Sequence, residues 1–377
     1  MTIQQECLDL LPELIKGRRY LHQNPETGNE LDNTKKFVSE HLKQMGFLPY
    51  SCGGGIVCDL NLHKDKTILI RADMDALPEK EDSGLEFASK KNCAHLCGHD
   101  LHIMVLLGTC KILLNNVSKL NCNVRFMFQD DEERVQGAKR MIDDGVLNGV
   151  DYAFMAHTKP NYKTGLINCT SGKKMASMDR FEIEIIGKGG HGSMPKICND
   201  PIKAASKLIL KLDNIVDDYL KPNSANAISV GMVNAGTSPN IIPNTAFIKG
   251  TMRGENEEDR KLMKDALKNI CEQIEKEDKV QIINEYTASV NSLTNNPELV
   301  EFVKPSLDLY LGDMVDYTYD FTQVSEDFAL VAALVPSICY NFGTGESEYS
   351  LHNPKIIFDE TSMVNAVLCF VATALAF

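Results

Sequence analysis

A chain of 377 residues, 43% hydrophobic and 24% charged, has the balance of a soluble globular protein and the length for two or three domains. Its formal net charge of −13 argues against a nucleic-acid partner and against an anionic membrane surface, since both need a basic face. Twelve irregularly spaced cysteines are too sparse for a disulfide scaffold and point to a reducing, cytoplasmic compartment. The first 21 residues carry acidic side chains and no long apolar core, so a signal peptide is not expected, and no run of about 18 apolar residues suggests a membrane span.

Leu8, Leu10, Leu11, Leu14, Ile15 and Leu21 recur at helical spacing, which predicts a helix over 7–22 closed by Asn24-Pro25. His22 falls near its end, where an imidazole suits the helix dipole, and a structural role is expected for it. A second helix is predicted over 31–45. Strands follow over 56–62 and 67–72, and the second runs into Asp73-Met74-Asp75. Arg71, Asp73 and Asp75 alternate, so they share one face as the strand leaves the sheet. Two carboxylates so placed form either a site or a solvated turn.

Residues 92–102 read N-C-A-H-L-C-G-H-D-L-H. Those eleven positions hold three of the nine histidines and two of the twelve cysteines, side chains that coordinate transition metals well. A structural zinc knuckle, or free thiols beside surface histidines, is the alternative, and the C-x-x-x-C-x-H spacing, which is not a usual four-ligand zinc pattern, counts against it. An apolar helix is predicted over 103–114, then a strand over 123–129 that runs straight into Asp130-Asp131-Glu132-Glu133. Four acidic residues at the end of an apolar strand are costly unless a cation offsets them; a surface acidic turn is the alternative. A strand over 152–156 ends in His157. Strands alternating with helices, each ending in candidate ligands, predict an α/β fold with a mostly parallel sheet and a site at the carboxyl ends of its strands.

From residue 178 the pattern changes. A strand over 180–187, a helix over 201–220, strands over 227–233 and 245–253, a helix over 257–275 and a strand over 280–286 give the order βαββαβ. That order suits a small ferredoxin-like α+β domain. Helix–strand alternation resumes at 297–311, with a strand over 337–342, a loop at 351–354 carrying His352 and a terminal helix over 360–377. The domains expected are a first catalytic part (1–177), an inserted domain (178–290) and a second catalytic part (291–377).

The assembled motifs resemble the M20 metallopeptidase family, and within it the amidohydrolase branch of hippurate hydrolases, N-acyl-amino-acid deacylases, indole-acetyl-amino-acid hydrolases and N-acetyldiaminopimelate deacetylases. They are R-R-Y-L-H-Q-N-P-E at 18–26, R-A-D-M-D-A-L-P at 71–78, C-G-H-D-L-H at 97–102, F-Q-D-D-E-E at 128–133, A-H-T-K-P at 156–160 and G-K-G-G-H-G-S-M-P at 187–195. S-P-N-I-I-P at 238–243, T-M-R at 251–253, S-E-D-F-A at 325–329 and L-H-N-P at 351–354 complete the set. The resemblance implies two divalent metal ions per chain, manganese or zinc first and cobalt or nickel next, held by Cys97, His99, Glu133, His157 and His352. It implies Glu132 as the general base acting on a metal-activated water, and Asp75 orienting a ligand or tuning Glu132. Asp100 would support a ligand or cap a helix.

The resemblance also implies that His191 reaches a partner subunit's site to stabilise the oxyanion, that Asn240 and Arg253 hold the substrate carboxylate, and that the inserted domain serves as lid and homodimer interface. The expected activity is hydrolysis of a small N-acyl amino acid. A dipeptidase or aminopeptidase on the same fold is the alternative, and a non-catalytic metal-binding protein a more distant one. Two departures stand out. Asp130-Asp131 replace the family's usual Pro-Ala and are expected to add negative charge beside the site, and Met155-Ala156 replace the Gly-Leu that usually precedes the His157 position, in a chain with no tryptophan.

Overall fold

A computed structural model describes residues 2–221 and 224–377. The chain forms two compact units. One comprises the chain up to Lys174, with Thr294–Asp320 and Glu326–Phe377; the other comprises Met175–Leu293 and Phe321–Ser325.

The first unit contains α1 (Ile3–Asp9), α2 (Leu11–Gln23), α3 (Asp32–Gln44), β1 (Tyr50–Cys52), β2 (Gly55–Leu60), β3 (Thr67–Asp73), α4 (His99–Asn115), β4 (Asn123–Gln129), α5 (Gly137–Asp143), β5 (Tyr152–Lys159) and β6 (Ile167–Asn168). From β7 (Gly172–Met175) the chain enters the second unit, with β8 (Met178–Ile186), β9 (Gly190–His191), α6 (Pro201–Leu212), α7 (Ile215–Tyr219), β10 (Ala227–Ala235), β11 (Ile241–Ile242), β12 (Thr245–Arg253), α8 (Glu257–Asp278) and β13 (Gln281–Val290). It returns through β14 (Leu293–Asn295) to α9 (Pro297–Leu311), β15 (Val315–Asp316), α10 (Phe328–Ala332), β16 (Ser337–Gly343) and α11 (Met363–Leu375).

Two predicted helices are each split in two. The helix expected over 7–22 breaks at Leu10 because Pro12 lacks an N–H and is tolerated only in a first turn, so α2 starts anew beneath it. The helix expected over 201–220 breaks after Leu212. There Asp213-Asn214 are poor helix formers, and Asn214 Nδ2 donates to the Leu210 carbonyl at 3.2 Å.

The sheet of the first unit has the order β1-β2-β4-β3-β5-β16-β6-β15. Its central pairs β4/β3, β3/β5 and β5/β16 are parallel, while β1/β2, β2/β4 and β16/β6 are antiparallel. β3 and β16 are buried on both faces, so their sequences lack the regular apolar–polar alternation of a half-exposed strand. Helix α4 is apolar all round and buried along nearly its whole length, packed against β3, α2 and α11. Among the described residues no helix is long and apolar enough to cross a membrane.

The second unit is built on an antiparallel sheet of order β10-β12-β8-β13. Phe181, Ile183 and Ile185 of β8 and Ala246, Ile248 and Met252 of β12 point to α6 and α8 and form its core. The residues between them point to the helix-free face. Asp179 faces the helices too and is buried. Arg260 grips it through Nε at 2.7 Å and Nη2 at 2.9 Å, Lys264 adds a third contact at 2.9 Å, and Ser289 donates a fourth hydrogen bond. Burial opposes ionisation of Asp179, but Arg260, Ser289 and Lys264 outweigh it and hold the carboxyl below its usual range.

Replacing Asp179 by Ala would leave Arg260 without its buried partner and is expected to destabilise this unit by about 3–5 kcal/mol. Because the folded pKa lies below the unfolded one, the contribution is present above the ordinary carboxylate range and is lost as pH falls through the folded value. Urea denaturation of wild type and variant across acid pH measures both. Equal midpoints at neutral pH would remove the cluster from the account.

Candidate metal centre

Three parallel strands deliver the site. β3 ends at Asp73 and continues into Asp75, β4 ends at Gln129 and continues into Glu132 and Glu133, and β5 carries His157 near its carboxyl end. Cys97 and His99 flank Gly98 at the start of α4. Gly98 has φ 87°, a left-handed conformation that glycine adopts at little cost, and a Cβ there would meet Thr158 Cγ2 at 2.6 Å. The glycine lets the ligand-bearing turn lie directly against β5.

Cys97 Sγ lies 3.5 Å from His157 Nε2. His157 Nδ1–H donates to the Thr158 carbonyl at 2.8 Å, which turns the lone pair of Nε2 toward the thiol. His99 Nδ1–H donates likewise to the Asp75 carbonyl at 2.8 Å, leaving Nε2 buried and without a hydrogen-bond partner. That atom is 3.8 Å from Glu133 Oε1, itself buried and unpartnered, and Glu133 Oε1 is 3.5 Å from His352 Nε2. Candidate ligand atoms in the sets Cys97/His99/His157 and Cys97/Glu133/His352 lie within 4.8 Å of one another. Buried polar atoms facing each other without protons to share are costly, and a divalent cation between them would satisfy both.

The electrostatics agree with that fit. Burial first, then the His102 charge, lowers His157 to about 3, so it is a neutral donor at neutral pH. Burial, with Asp75, Asp73 and Glu326 outweighing His99, raises Glu133 to about 7. Burial, then Glu326 and Glu133, pushes Glu132 well above the carboxyl range. His99 is raised because Asp73 and Cys97 outweigh its burial. The centre therefore calls for positive charge, as protons or as metal.

Asp75 organises the adjacent glutamates through their backbone. Its Oδ1 accepts the Glu132 N–H at 3.1 Å and its Oδ2 the Glu133 N–H at 3.3 Å, while its carbonyl holds His99. The expectation that Asp130 and Asp131 add negative charge beside the site is corrected. Both are buried and neutralised: Arg140 reaches Asp131 at 2.9 Å and Asp130 at 3.0 Å, Arg134 reaches Asp131 at 2.5 Å, and Lys35 lies 3.4 Å from Asp130. Asp131 sits in the left-handed region at φ 58°, and its carbonyl accepts the N–H groups of Gln136 and Gly137. The turn that aims Glu132 and Glu133 is thus clamped by arginine.

Asp100 is not the helix N-cap; Gly98 takes that place. Asp100 is a buried counter-ion, 2.7 Å from Arg18 Nε and 2.8 Å from His22 Nδ1. His22 also meets Glu81 at 3.0 Å, so two carboxylates rather than a helix end account for its place.

Several side chains here were given no role of their own from the sequence. His102 Nδ1–H donates to Asp73 at 2.6 Å and its Nε2 accepts the Thr158 N–H at 3.0 Å, tying β3 to the end of β5 beside His157. Its i+3 spacing from His99 was the available signal. Buried Arg71 contacts Asp73 at 2.8 Å, Glu326 at 2.9 Å, Asp327 at 2.8 Å and Gln129 at 2.9 Å. Glu326 and Asp327 also lie with Glu132 in one acidic cluster, and the Asp327 N–H points to Glu132 Oε1 at 3.5 Å. Apart from the S-E-D-F-A motif, nothing in the sequence links residues nearly two hundred positions apart.

In the second unit, His191 pairs with Ile241 in the β9/β11 ribbon, and the Gly192 N–H donates to the Asn240 carbonyl at 2.8 Å. His191 Nδ1 is 2.7 Å from Ser193 Oγ, and Asn240 Oδ1 accepts from Ser238 at 2.6 Å. Arg253 is not with them. It closes β12, whose opposite end follows β11, so the length of that strand, roughly 26 Å, separates it from His191 and Asn240.

A family model described as peptidase family M20/M25/M40 matches residues 69–376. The chain is 36% identical to the hippurate hydrolase of Campylobacter jejuni, with all of both chains covered. It is 34% identical to the N-acetyl-L-cysteine deacetylase of Bacillus subtilis, covering 94% of this chain and 85% of that one. A solved structure of a dinuclear metal-binding peptidase of the M20 family from Bacillus subtilis superposes with TM-score 0.85 at 31% identity, over 97% and 98% of the two chains.

Arg140→Met is expected to cost about 1–3 kcal/mol in urea denaturation, because the buried Asp130 and Asp131 lose a shared donor. An unchanged midpoint would show that Arg134 and Lys35 suffice.

Proposed function

The chain belongs to peptidase family M20/M25/M40, and from that premise we propose that it is a metal-dependent hydrolase cleaving the amide bond of N-acyl amino acids. The observation that carries the metal centre is the pair of buried, unpartnered atoms, His99 Nε2 and Glu133 Oε1, facing each other within reach of Cys97, His157 and His352. The relatives named above are a hippurate hydrolase and an N-acetyl-L-cysteine deacetylase, whose substrates by name are N-acyl amino acids.

In this reading Cys97, His99, Glu133, His157 and His352 hold two divalent cations. A thiolate and imidazoles favour zinc, whereas the carboxylate also admits manganese, cobalt or nickel. When bound, such cations supply Lewis acidity toward a water and an amide carbonyl. Glu132 takes the proton from that water and delivers it to the departing nitrogen. Asp75 keeps Glu132 and Glu133 on their separate tasks by fixing both backbone N–H groups.

The second unit is proposed as the substrate-holding, lid and dimerisation domain, its βαββαβ order with sheet order β10-β12-β8-β13 being that of a ferredoxin-like fold. His191 would stabilise the oxyanion, while Asn240 and Arg253 hold the carboxylate. The β12 strand is much longer than a small N-acyl amino acid, so one chain's Arg253 and its own His191 cannot grasp one substrate molecule. That separation supports a homodimer in which each site takes His191 and Asn240 from one copy and Arg253 from the other. Twelve unpaired cysteines suit a reducing, cytoplasmic compartment.

Metal-stripped protein, reloaded with zinc or manganese, is expected to hydrolyse members of a panel of N-acetyl and N-benzoyl amino acids, and Glu132→Gln to lower kcat by about 10²–10⁴-fold while still binding metal. Failure of the chain to bind divalent metal would remove the ligand set; preferential cleavage of unblocked dipeptides would make it a peptidase. Mixing inactive Glu132→Gln with inactive His191→Ala protein is expected to restore turnover, because a mixed dimer carries one intact site. No recovery, with subunit exchange verified, would place His191 in its own subunit's site or outside the chemistry.

A further inference from the structure

We propose that Arg180 joins Arg253 in a two-guanidinium anion site on the helix-free face of the four-stranded sheet, making dicarboxylic N-acyl amino acids the preferred substrate class. The inference rests on the reading of Arg253 as the carboxylate anchor, and it adds a second anchor for a second carboxylate.

Strand register places the pair. Arg180 of β8 lies opposite Thr251 of β12, and Arg253 is two residues further along β12. Side chains two apart on a strand share a face, so Arg180, Thr251 and Arg253 all project away from the core that Phe181, Gly250 and Met252 build with the helices. Diagonal neighbours of this kind lie about 7–8 Å apart, within reach for two long side chains. Arg180 is exposed and Arg253 half-buried.

Among the described residues neither guanidinium has a carboxylate partner. Arg253 donates to Ser325 Oγ at 2.5 Å, a neutral acceptor. Glu182, the next residue of β8 on that face, is occupied by Lys249 at 2.7 Å. Nearby hydroxyls are also neutral: Ser229 Oγ lies opposite Thr251 Oγ1 at 3.1 Å, beside Arg180. Arg253 is pulled below its ordinary value by burial and then by the Arg180 charge, the response of a cation set beside a like charge. Like charges on adjacent strands are unfavourable unless an anion comes between them. With Arg253 on the α-carboxylate, Arg180 is free for a second carboxylate, as bidentate guanidinium geometry favours.

The second carboxylate can come from the amino-acid side chain or from the acyl group, and the test separates them. Calorimetry of the full chain with glutarate and with butyrate as probes is compared between wild type, Arg180→Gln and Arg180→Lys. Arg180→Gln is expected to weaken glutarate about tenfold or more, leave butyrate within about twofold, and be largely rescued by Arg180→Lys. Alongside, N-acetylglutamate, N-succinylmethionine and N-acetylmethionine are compared as substrates. A KM that rises in Arg180→Gln for N-acetylglutamate alone places the second carboxylate on the amino-acid side, and one that rises for N-succinylmethionine alone places it on the acyl side. Equal glutarate binding by wild type and Arg180→Gln, or equal losses of glutarate and butyrate, overturns the two-guanidinium site. If no acyl amino acid is hydrolysed, the proposed activity fails while the calorimetry still decides on the anion site.

Discussion

The Asp75 carboxylate is the constraint on which the candidate centre depends. It accepts the N–H groups of Glu132 and Glu133 on two separate oxygens, and its carbonyl fixes the tautomer of His99. Two residues past the end of β3, Asp75 thereby sets the backbone beyond β4 and the ring at the start of α4. Without it, nothing on the β3 side would hold the two neighbouring glutamates in distinct positions. Gly98 is the complementary device, since only a residue without a Cβ lets the Cys97–His99 turn lie against Thr158.

So much buried acid needs a compensating interior cation. Arg71 supplies it, contacting Asp73, Glu326 and Asp327 from beneath the site, and Gln129 completes the ring. With that network neutralised on its inner side, His99 Nε2 and Glu133 Oε1 remain buried and unpartnered. Positive charge drawn to that point is then held there by protein groups that cannot relax away from it. The Arg18–Asp100–His22–Glu81 chain does the same service for the loop preceding α4.

The second unit divides polar work between its two ends. His191 and Asn240 share the β9/β11 ribbon, whereas Arg253 and Arg180 gather at the other end of β12 and the facing part of β8. An antiparallel sheet with helices on one face leaves the other face free for such groups, because the core needs only alternate residues of each strand. Asp179 shows the same rule from the opposite side: one position from Arg180, it faces the helices and is consumed by Arg260 and Lys264.

Most of the longer strands and helices and the ligand-type residues are legible in the sequence alone, because these depend on periodicities of two and 3.6 and on the chemistry of single side chains. β4, β12 and α9 begin and end where their patterns predict, and the motifs holding Cys97, His99, Glu132, Glu133, His157 and His352 stand out with no knowledge of contacts. Which charge neutralises which emerges only in the packed fold. Asp130 and Asp131 read as loose negative charge until Arg140 folds over them, Asp100 reads as a cap until Arg18 and His22 arrive from a distant helix, and His102 and Asp327 acquire meaning only once β3, β4 and β5 lie side by side. Pairing of charges across long sequence separations leaves no local pattern, since its energy depends on distances that exist only after the chain has packed.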